Sequence, residues 1–177
     1  ALLQGFNFIS DEYEKGKFSH EDVIITIDAD GQHDPDKIKD MYEYFNKNML
    51  DVLIAQRDFS NYPKYKIIRN RLMSLIASSL VRFKFVDIEC GLRILKLTFL
   101  EDLLNHYVGY RYSCAGEIGI AASLLGYRVD NRYKIRVPYY RKRGPNFIDF
   151  FINLIFYFLI FLKIKFYLYT KKSSIAR

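Results

Sequence analysis

The sequence predicts an α/β protein, a mainly parallel sheet flanked by helices, with an oily helix at its C-terminal end. Three observations carry the prediction. Short β-branched apolar runs alternate with stretches of helical apolar spacing through most of the 177 residues. The first such run, Ile24-Ile25-Thr26-Ile27, stops at two carboxylates spaced i, i+2, Asp28 and Asp30. Residues 147–170 form an almost unbroken apolar segment.

Taken in order, residues 1–8 read as the end of a helix already under way. Residues 22–27 read as a buried strand, rich in β-branched side chains. A helix over 35–47 follows, with Ile38, Tyr42 and Phe45 on one face, and then a short strand over 51–55. Residues 65–81 form a long helix in which Ile68, Leu72, Leu75, Ile76 and Leu80 keep helical spacing. A turn and a strand fall within 85–95, and helices over 97–105 and 115–125, the latter stopped by Gly126. Residues 128–140 read as extended. In open α/β sheets ligands bind beyond the carboxyl ends of the strands, where Asp28 and Asp30 lie.

That acidic stretch, Asp28-Ala29-Asp30-Gly31-Gln32-His33-Asp34-Pro35, does not fit a calcium-binding EF-hand, which needs Gly at the sixth position and Glu at the twelfth. His33 and Lys39 stand there. Asp34 and Asp36 read as turn carboxylates, Asp34 capping a helix that begins at Pro35. Asp28 and Asp30 differ: like charges together at the end of a buried strand repel one another and favour a cation. Two hard oxygen donors with a nearby amide oxygen suit a divalent metal that keeps several waters and shares substrate phosphates.

Charge is unevenly distributed. Residues 1–130 hold 16 Lys/Arg against 19 Asp/Glu, whereas residues 131–177 hold 11 Lys/Arg against the single acid Asp149. Nucleic-acid binding would interleave stacking aromatics with the cations. Here the aromatics form a continuous oily run, so nucleic acid is not expected as a partner and an anionic lipid surface is. As a helix, residues 147–170 would reach about 36 Å, enough to span a bilayer. Asp149, Asn153, Lys163 and Tyr167 fall on nearly one face, which also allows a helix lying deep in the interface. Cys90 and Cys114 have no metal-like spacing and read as free thiols. The division expected is a domain over 1–146, a membrane-associated helix over 147–170 and a basic tail over 171–177.

Further segments carry chemistry: Gln56-Arg57-Asp58 after the second strand; Arg69-Asn70-Arg71-Leu72-Met73-Ser74 on the long helix; Asp87-Ile88-Glu89-Cys90-Gly91-Leu92-Arg93; and the basic loop Arg141-Lys142-Arg143-Gly144-Pro145-Asn146. Each alone has an ordinary reading as solvated charge or a flank of the oily helix. In this order, together with Glu117 near a helix start, they resemble glycosyltransferase family 2 of the GT-A fold. The similarity is to its polyprenyl-phosphate branch, the dolichyl- and undecaprenyl-phosphate glycosyltransferases.

The resemblance implies transfer of a hexose, with inversion, from a nucleoside-diphosphate sugar to a polyprenyl phosphate at the cytoplasmic face of a membrane. It implies Asp28, Asp30 and Gln32 as holders of Mg²⁺ or Mn²⁺ against the donor diphosphate. Arg57, Arg71, Ser74 and Arg141 are implied phosphate ligands, with Arg143 able to replace Arg141 and Arg69 to share the role of Arg71; Arg93 and Glu117 join the substrate-binding set. Arg57 and Asp87 are the catalytic candidates. Asp87 is a general base if the acceptor is a sugar hydroxyl, an orienting group if it is a phosphate, or an ion-pair partner of Arg93 across the turn. The family's opening strand, with its P-x-Y/F-N-E motif, is not in the chain, which is therefore expected to start inside the family's domain. Two other readings stand beside this one: a family 2 enzyme with a saccharide acceptor, and a non-catalytic membrane-tethered module.

Overall fold

The computed structural model describes residues 1–138 and 147–175. Four strands form the main sheet: β1 (Val23–Thr26), β2 (Val52–Ile54), β4 (Arg93–Lys96) and β5 (Val129–Asp130), in the order β1-β4-β2-β5. β1, β2 and β5 run in one direction, as expected of a mainly parallel sheet, but β4 runs antiparallel between β1 and β2. A two-stranded parallel ribbon, β3 (Gln56–Arg57) with β6 (Lys134–Ile135), extends the sheet's end.

The helices cover the sheet as the periodicity implies, with informative exceptions. α1 (Leu2–Glu14) packs through Phe6 against Tyr107 beside α4 (Leu97–Leu104), the rings 5.6 Å apart. α2 (Lys37–Lys47) buries Met41 and Phe45, while Tyr42 faces outward. Its start is later than Pro35: the Asp34 carboxylate accepts the Asp36 N–H in a turn and does not cap the helix.

α3 (Lys64–Leu80) turns a largely polar side to the protein. Asn70, Met73, Ser74 and Ala77 face inward, and the apolar positions Ile68, Leu72 and Leu75 are exposed. The reason is chemical: the segment beneath α3 presents an orphan backbone N–H and a buried carboxylate, which Ser74 and Asn70 satisfy.

α5 (Cys114–Leu125) is buried over Ala115–Ala122 and apolar all round, as a helix inside the protein must be. Gly126 at φ 87° ends it.

The last helix, α6 (Phe147–Ile175), lies against α5. Gly116 permits the approach, since a Cβ there would fall 1.9 Å from the Tyr157 ring. α6 is inside out for a helix facing water. Its polar side chains Asp149 and Asn153 point into the protein, with Tyr157, Ile160 and Ile164, while Phe151, Ile155, Phe158 and Leu162 are exposed. Its segment Ile148–Ser173 is long and apolar enough to cross a membrane, at mean hydropathy 1.8.

Candidate functional site

The reversal of β4 builds the site. Because β4 runs antiparallel to both neighbours, its first residue, Arg93, pairs with Thr26 at the end of β1 and Ile54 at the end of β2. The 87–93 segment thus arrives at the edge where β1 delivers Asp28 and Asp30, and where Arg57 follows β2. These residues line a cavity of about 450 Å³ together with Arg69, Glu89 and Gly91. Tyr112 and Cys114 close it from the start of α5.

Asp28 sits against Gly91, where an added Cβ would lie 2.1 Å from its Oδ2, so this glycine is required by space. The buried His33 ring, its Nε2 3.3 Å from Asp28 Oδ2, holds the carboxyl below the ordinary carboxylate range; Arg93 and Arg57 add to the effect against burial. Asp30 Oδ1 accepts the Gln32 N–H in a tight turn, with Gly31 at φ 74°. The Gln32 side chain donates from Nε2 to the Pro138 carbonyl at 2.9 Å, tying this loop to the chain entering 139–146.

Arg93 is the most informative cation. It is buried, its Nη1 lies 3.5 Å from Thr26 Oγ1, and its Nε has no partner. Among the described residues no carboxylate forms an ion pair with it. A buried guanidinium with an unpartnered N–H and no direct ion pair is costly unless a ligand completes its bonding.

Arg57 has the opposite arrangement. Its Nε and Nη2 donate to Asp87 Oδ2 and Oδ1 at 2.7 and 2.8 Å, and its own N–H donates to the same carboxylate. Burial pulls the guanidinium's pKa down, but Asp87 outweighs it and fixes the charge. Asp87 therefore pairs with Arg57 and not with Arg93 across the turn. It is fully buried and also accepts from Asn70 Nδ2 at 2.8 Å. With both oxygens engaged and no exposure, Asp87 has the surroundings of a positioning residue and not of a general base. The carboxyl of this segment that does line the cavity is Glu89, which pairs with Arg69 at 3.4 Å. Burial pushes Glu89 above the ordinary range against the pull of Arg69 and Arg57.

Arg57 also borders a second cavity, of about 590 Å³, with Arg71, Lys134, Arg136 and Asp58. Arg71, on the exposed side of α3, thus falls beside this second space. Ser74 does not: its hydroxyl is buried and accepts the Ile88 N–H at 3.2 Å. Glu117 is likewise internal. Its Oε2 accepts the N–H groups of Val108 and Gly109, and its Oε1 the Ser113 hydroxyl, so it anchors the loop that carries Tyr112. Burial forces this arrangement for both: a hydroxyl or carboxylate taken out of water must find protein donors or acceptors. Arg141 and Arg143 lie outside the described residues.

Glu89 and Asn131 were not legible as site residues. Asn131 Oδ1 accepts the N–H groups of Val86 and Asp87, both at 2.8 Å, and its Nδ2 donates to the carbonyls of Ile54 and Asp87. It stitches β2 to the segment that presents Asp87. Cys90 is a core residue, its thiol pushed up to about 12 by burial, which excludes a nucleophilic role.

Among the described residues no group of three His, Cys, Asp or Glu side chains converges as a closed metal cage. The two carboxylates on one cavity wall fit a different demand. Mg²⁺ binds through one or two carboxylates, keeps waters and takes the rest from phosphate.

Fold and site together define a class: an α/β protein with a cavity lined by three arginines and three carboxylates at the carboxyl ends of its parallel strands. The chain belongs to glycosyl transferase family 2, whose model matches residues 16–116. Over 149 residues it is 29% identical to the UDP-N-acetylglucosamine–dolichyl-phosphate N-acetylglucosaminyltransferase of Methanococcus voltae, covering 80% of this chain and 59% of that one. Two uncharacterized proteins of Methanocaldococcus jannaschii are also similar. One is 34% identical over 86 residues, covering 45% of this chain and 38% of the relative; the other is 26% identical over 136 residues, covering 73% and 56%. The chain thus spans less than two thirds of the length of the curated relatives it matches.

Proposed function

We propose that this chain carries the site of a membrane-associated glycosyltransferase that moves a hexose from a nucleoside-diphosphate sugar to a polyprenyl phosphate. The observation that carries the reading is Arg93, a buried guanidinium without a carboxylate partner among the described residues, facing the same cavity as Asp28 and Asp30. A diphosphate would supply the direct partner that Arg93 lacks. The name of the Methanococcus voltae relative supports a polyprenyl-phosphate acceptor and makes UDP-N-acetylglucosamine the first donor to test.

Asp28 and Asp30, with Gln32 beside them, would hold Mg²⁺ or Mn²⁺. A bound metal supplies charge neutralisation at the diphosphate leaving group. Arg93 binds donor phosphate from beneath. Arg57, held rigid by Asp87, which Asn70 holds in turn, stands between the two cavities, where it faces donor on one side and acceptor on the other. Arg71, Lys134 and Arg136 line the second cavity and offer an acceptor phosphate charge-assisted hydrogen bonds. Such an acceptor is already ionised at neutral pH, so the enclosure of Asp87 is no obstacle to the reaction. The outward apolar side of α6 supports membrane association, and the cations at 132–143 before it fit the cytoplasmic face.

A saccharide acceptor is the second reading, favoured by Glu89, a carboxyl on the cavity wall whose raised pKa suits a general base. The test is transfer from labelled UDP- and GDP-sugars, with Mn²⁺, to polyprenyl phosphate or to oligosaccharide. Label entering the organic phase, retained in Glu89→Gln, supports the lipid acceptor. Label only in oligosaccharide, lost in Glu89→Gln, supports the saccharide. No transfer to either by the folded full-length protein refutes both.

A further inference from the structure

We propose that Asn153, on α6, is a positioning residue of the first cavity: it fixes the Glu89 carboxylate and, through it, the Arg69 guanidinium. This role rests on the reading of that cavity as the donor site, and it gives the oily helix a part in holding the site together.

From residue 150 to residue 162 every side chain is apolar or aromatic except Asn153. An amide buried in such a run carries a desolvation cost that a Leu would not, so its partner is informative. Asn153 is 2% exposed, and its Nδ2 donates to Glu89 Oε1 at 3.4 Å. The other oxygen, Oε2, lies 3.4 Å from Arg69 Nη2 on α3. The carboxylate is thus held through one oxygen by each helix, and it bridges α3 to α6 at the wall of the cavity. The amide's Oδ1 has no partner among the described residues, so the side chain's hydrogen bonding there goes to the cavity carboxylate.

α6 is seated so as to deliver this amide. Asp149, Asn153 and Tyr157 are spaced four apart and lie along one side of the helix, about 6 Å from one to the next. Asp149 pairs with Arg111 at 3.4 Å. Tyr157 fills the notch at Gly116, where a Cβ would fall 2.1 Å from its hydroxyl oxygen. One fixed contact lies a turn before Asn153 and one a turn after it, so the height and rotation of the amide are both set.

The contact has a use in the cavity. Arg57, Arg69 and Arg93 line it, and Arg57 is already oriented by Asp87. A Glu89 carboxylate free to rotate would meet a donor diphosphate with like charge. Tied through both oxygens, it instead aligns Arg69 for a charge-assisted bond to phosphate.

The test is a double-mutant cycle on the full-length protein in detergent micelles, read in two ways. Urea unfolding without ligand reports the contact, and calorimetric titration of UDP-N-acetylglucosamine, UDP-glucose and GDP-mannose with Mn²⁺ reports the site. Asn153→Asp keeps the shape of the amide but sets an acceptor against Glu89; adding Glu89→Gln supplies a donor to face it. Asn153→Ala removes the donor without adding charge, in case Asn153→Asp does not fold. Both single variants should weaken the nucleotide sugar that wild type binds by about tenfold, and Asn153→Asp/Glu89→Gln should bind within about threefold of Glu89→Gln alone. Asn153→Asp should also unfold at lower urea, a defect that Glu89→Gln relieves. Coupling in unfolding with donor affinity unchanged in both single variants shows an amide that only seats the helix, and overturns the positioning role. Additive losses in both readouts show that Asn153 does not act through Glu89, and overturn it too. A folded wild type that shows the coupling in unfolding but binds no nucleotide sugar refutes the donor reading itself; the contact then stands and its role in a donor site falls.

Discussion

Replacing Asn131 by Ala tests how the site is held. The side chain is fully buried and makes hydrogen bonds in both directions, accepting from Val86 and Asp87 N–H and donating to the carbonyls of Ile54 and Asp87. Truncation leaves two N–H groups without a partner in a space that Ala does not fill. Each orphaned buried group costs about 1–3 kcal/mol, so the expected loss is about 2–6 kcal/mol. Against a typical total of about 5–15 kcal/mol, that is a large fraction. At roughly 2–4 °C per kcal/mol for a chain of this size, the melting point should fall by about 4 °C at least. Thermal and urea unfolding in detergent micelles measure the loss. Hydrogen exchange locates it, with the Val86 and Asp87 amides exposed first. Asn131→Asp should be no milder at neutral pH, because its second oxygen would face two carbonyls; it should partly recover as pH falls and the carboxyl protonates into a donor. A loss below about 1 kcal/mol in Asn131→Ala, with those two amides still protected, would refute the reasoning.

Other consequences are as specific. Gly91→Ala places a methyl group where the Asp28 carboxylate lies, so donor binding should collapse while the circular dichroism spectrum is kept; unchanged binding would show that Asp28 is free to move. Asp87→Asn removes the counter-charge of a largely enclosed Arg57 and should destabilise by up to about 3 kcal/mol, discounted for the partial exposure of the guanidinium, with activity not recovered at any pH. Gly116→Val drives into Tyr157 and should cost about 1–3 kcal/mol, with limited proteolysis showing a loosened α6; a Gly116→Val/Tyr157→Ala cycle should recover much of it. Burial raises the Asp51 carboxyl, but the Lys96 ammonium at 2.8 Å and the Arg128 N–H outweigh it and leave its pKa depressed. Its stabilisation is therefore present above the unfolded-state value of about 3.9 and lost as pH falls through the lower folded value; Asp51→Asn should flatten that acid limb by under about 1 kcal/mol.

The readable parts of the molecule were those written locally. β1 and its terminal carboxylates announce themselves within a dozen residues, because a buried strand and its polar exit are sequence neighbours. Gly126 as the stop of α5 is equally local. What escaped depends on partners far along the chain. The reversal of β4 is a matter of pairing Thr26 with Arg93, which no run of residues encodes. Asp87 chooses Arg57, thirty residues away, over the nearby Arg93. Helical spacing on α3 is legible, but spacing alone does not say which side faces the protein. The buried needs of Asp87 and of the Ile88 N–H instead draw Asn70 and Ser74 inside. The role of Glu89 is not local either, since nothing in its neighbours marks which of the two acids, Asp87 or Glu89, meets the cavity.

The most direct measurement is calorimetric titration of UDP-N-acetylglucosamine, UDP-glucose and GDP-mannose into the full-length protein with and without Mn²⁺, for wild type, Asp30→Ala and Arg93→Met. The account predicts metal-dependent binding of one nucleotide sugar. Asp30→Ala should abolish the metal dependence, and Arg93→Met should weaken binding by about 10–100-fold, the worth of a charge-assisted phosphate contact. Binding equal in all three proteins, or absent from a folded wild type, would contradict the assignment of this cavity to a sugar-nucleotide donor.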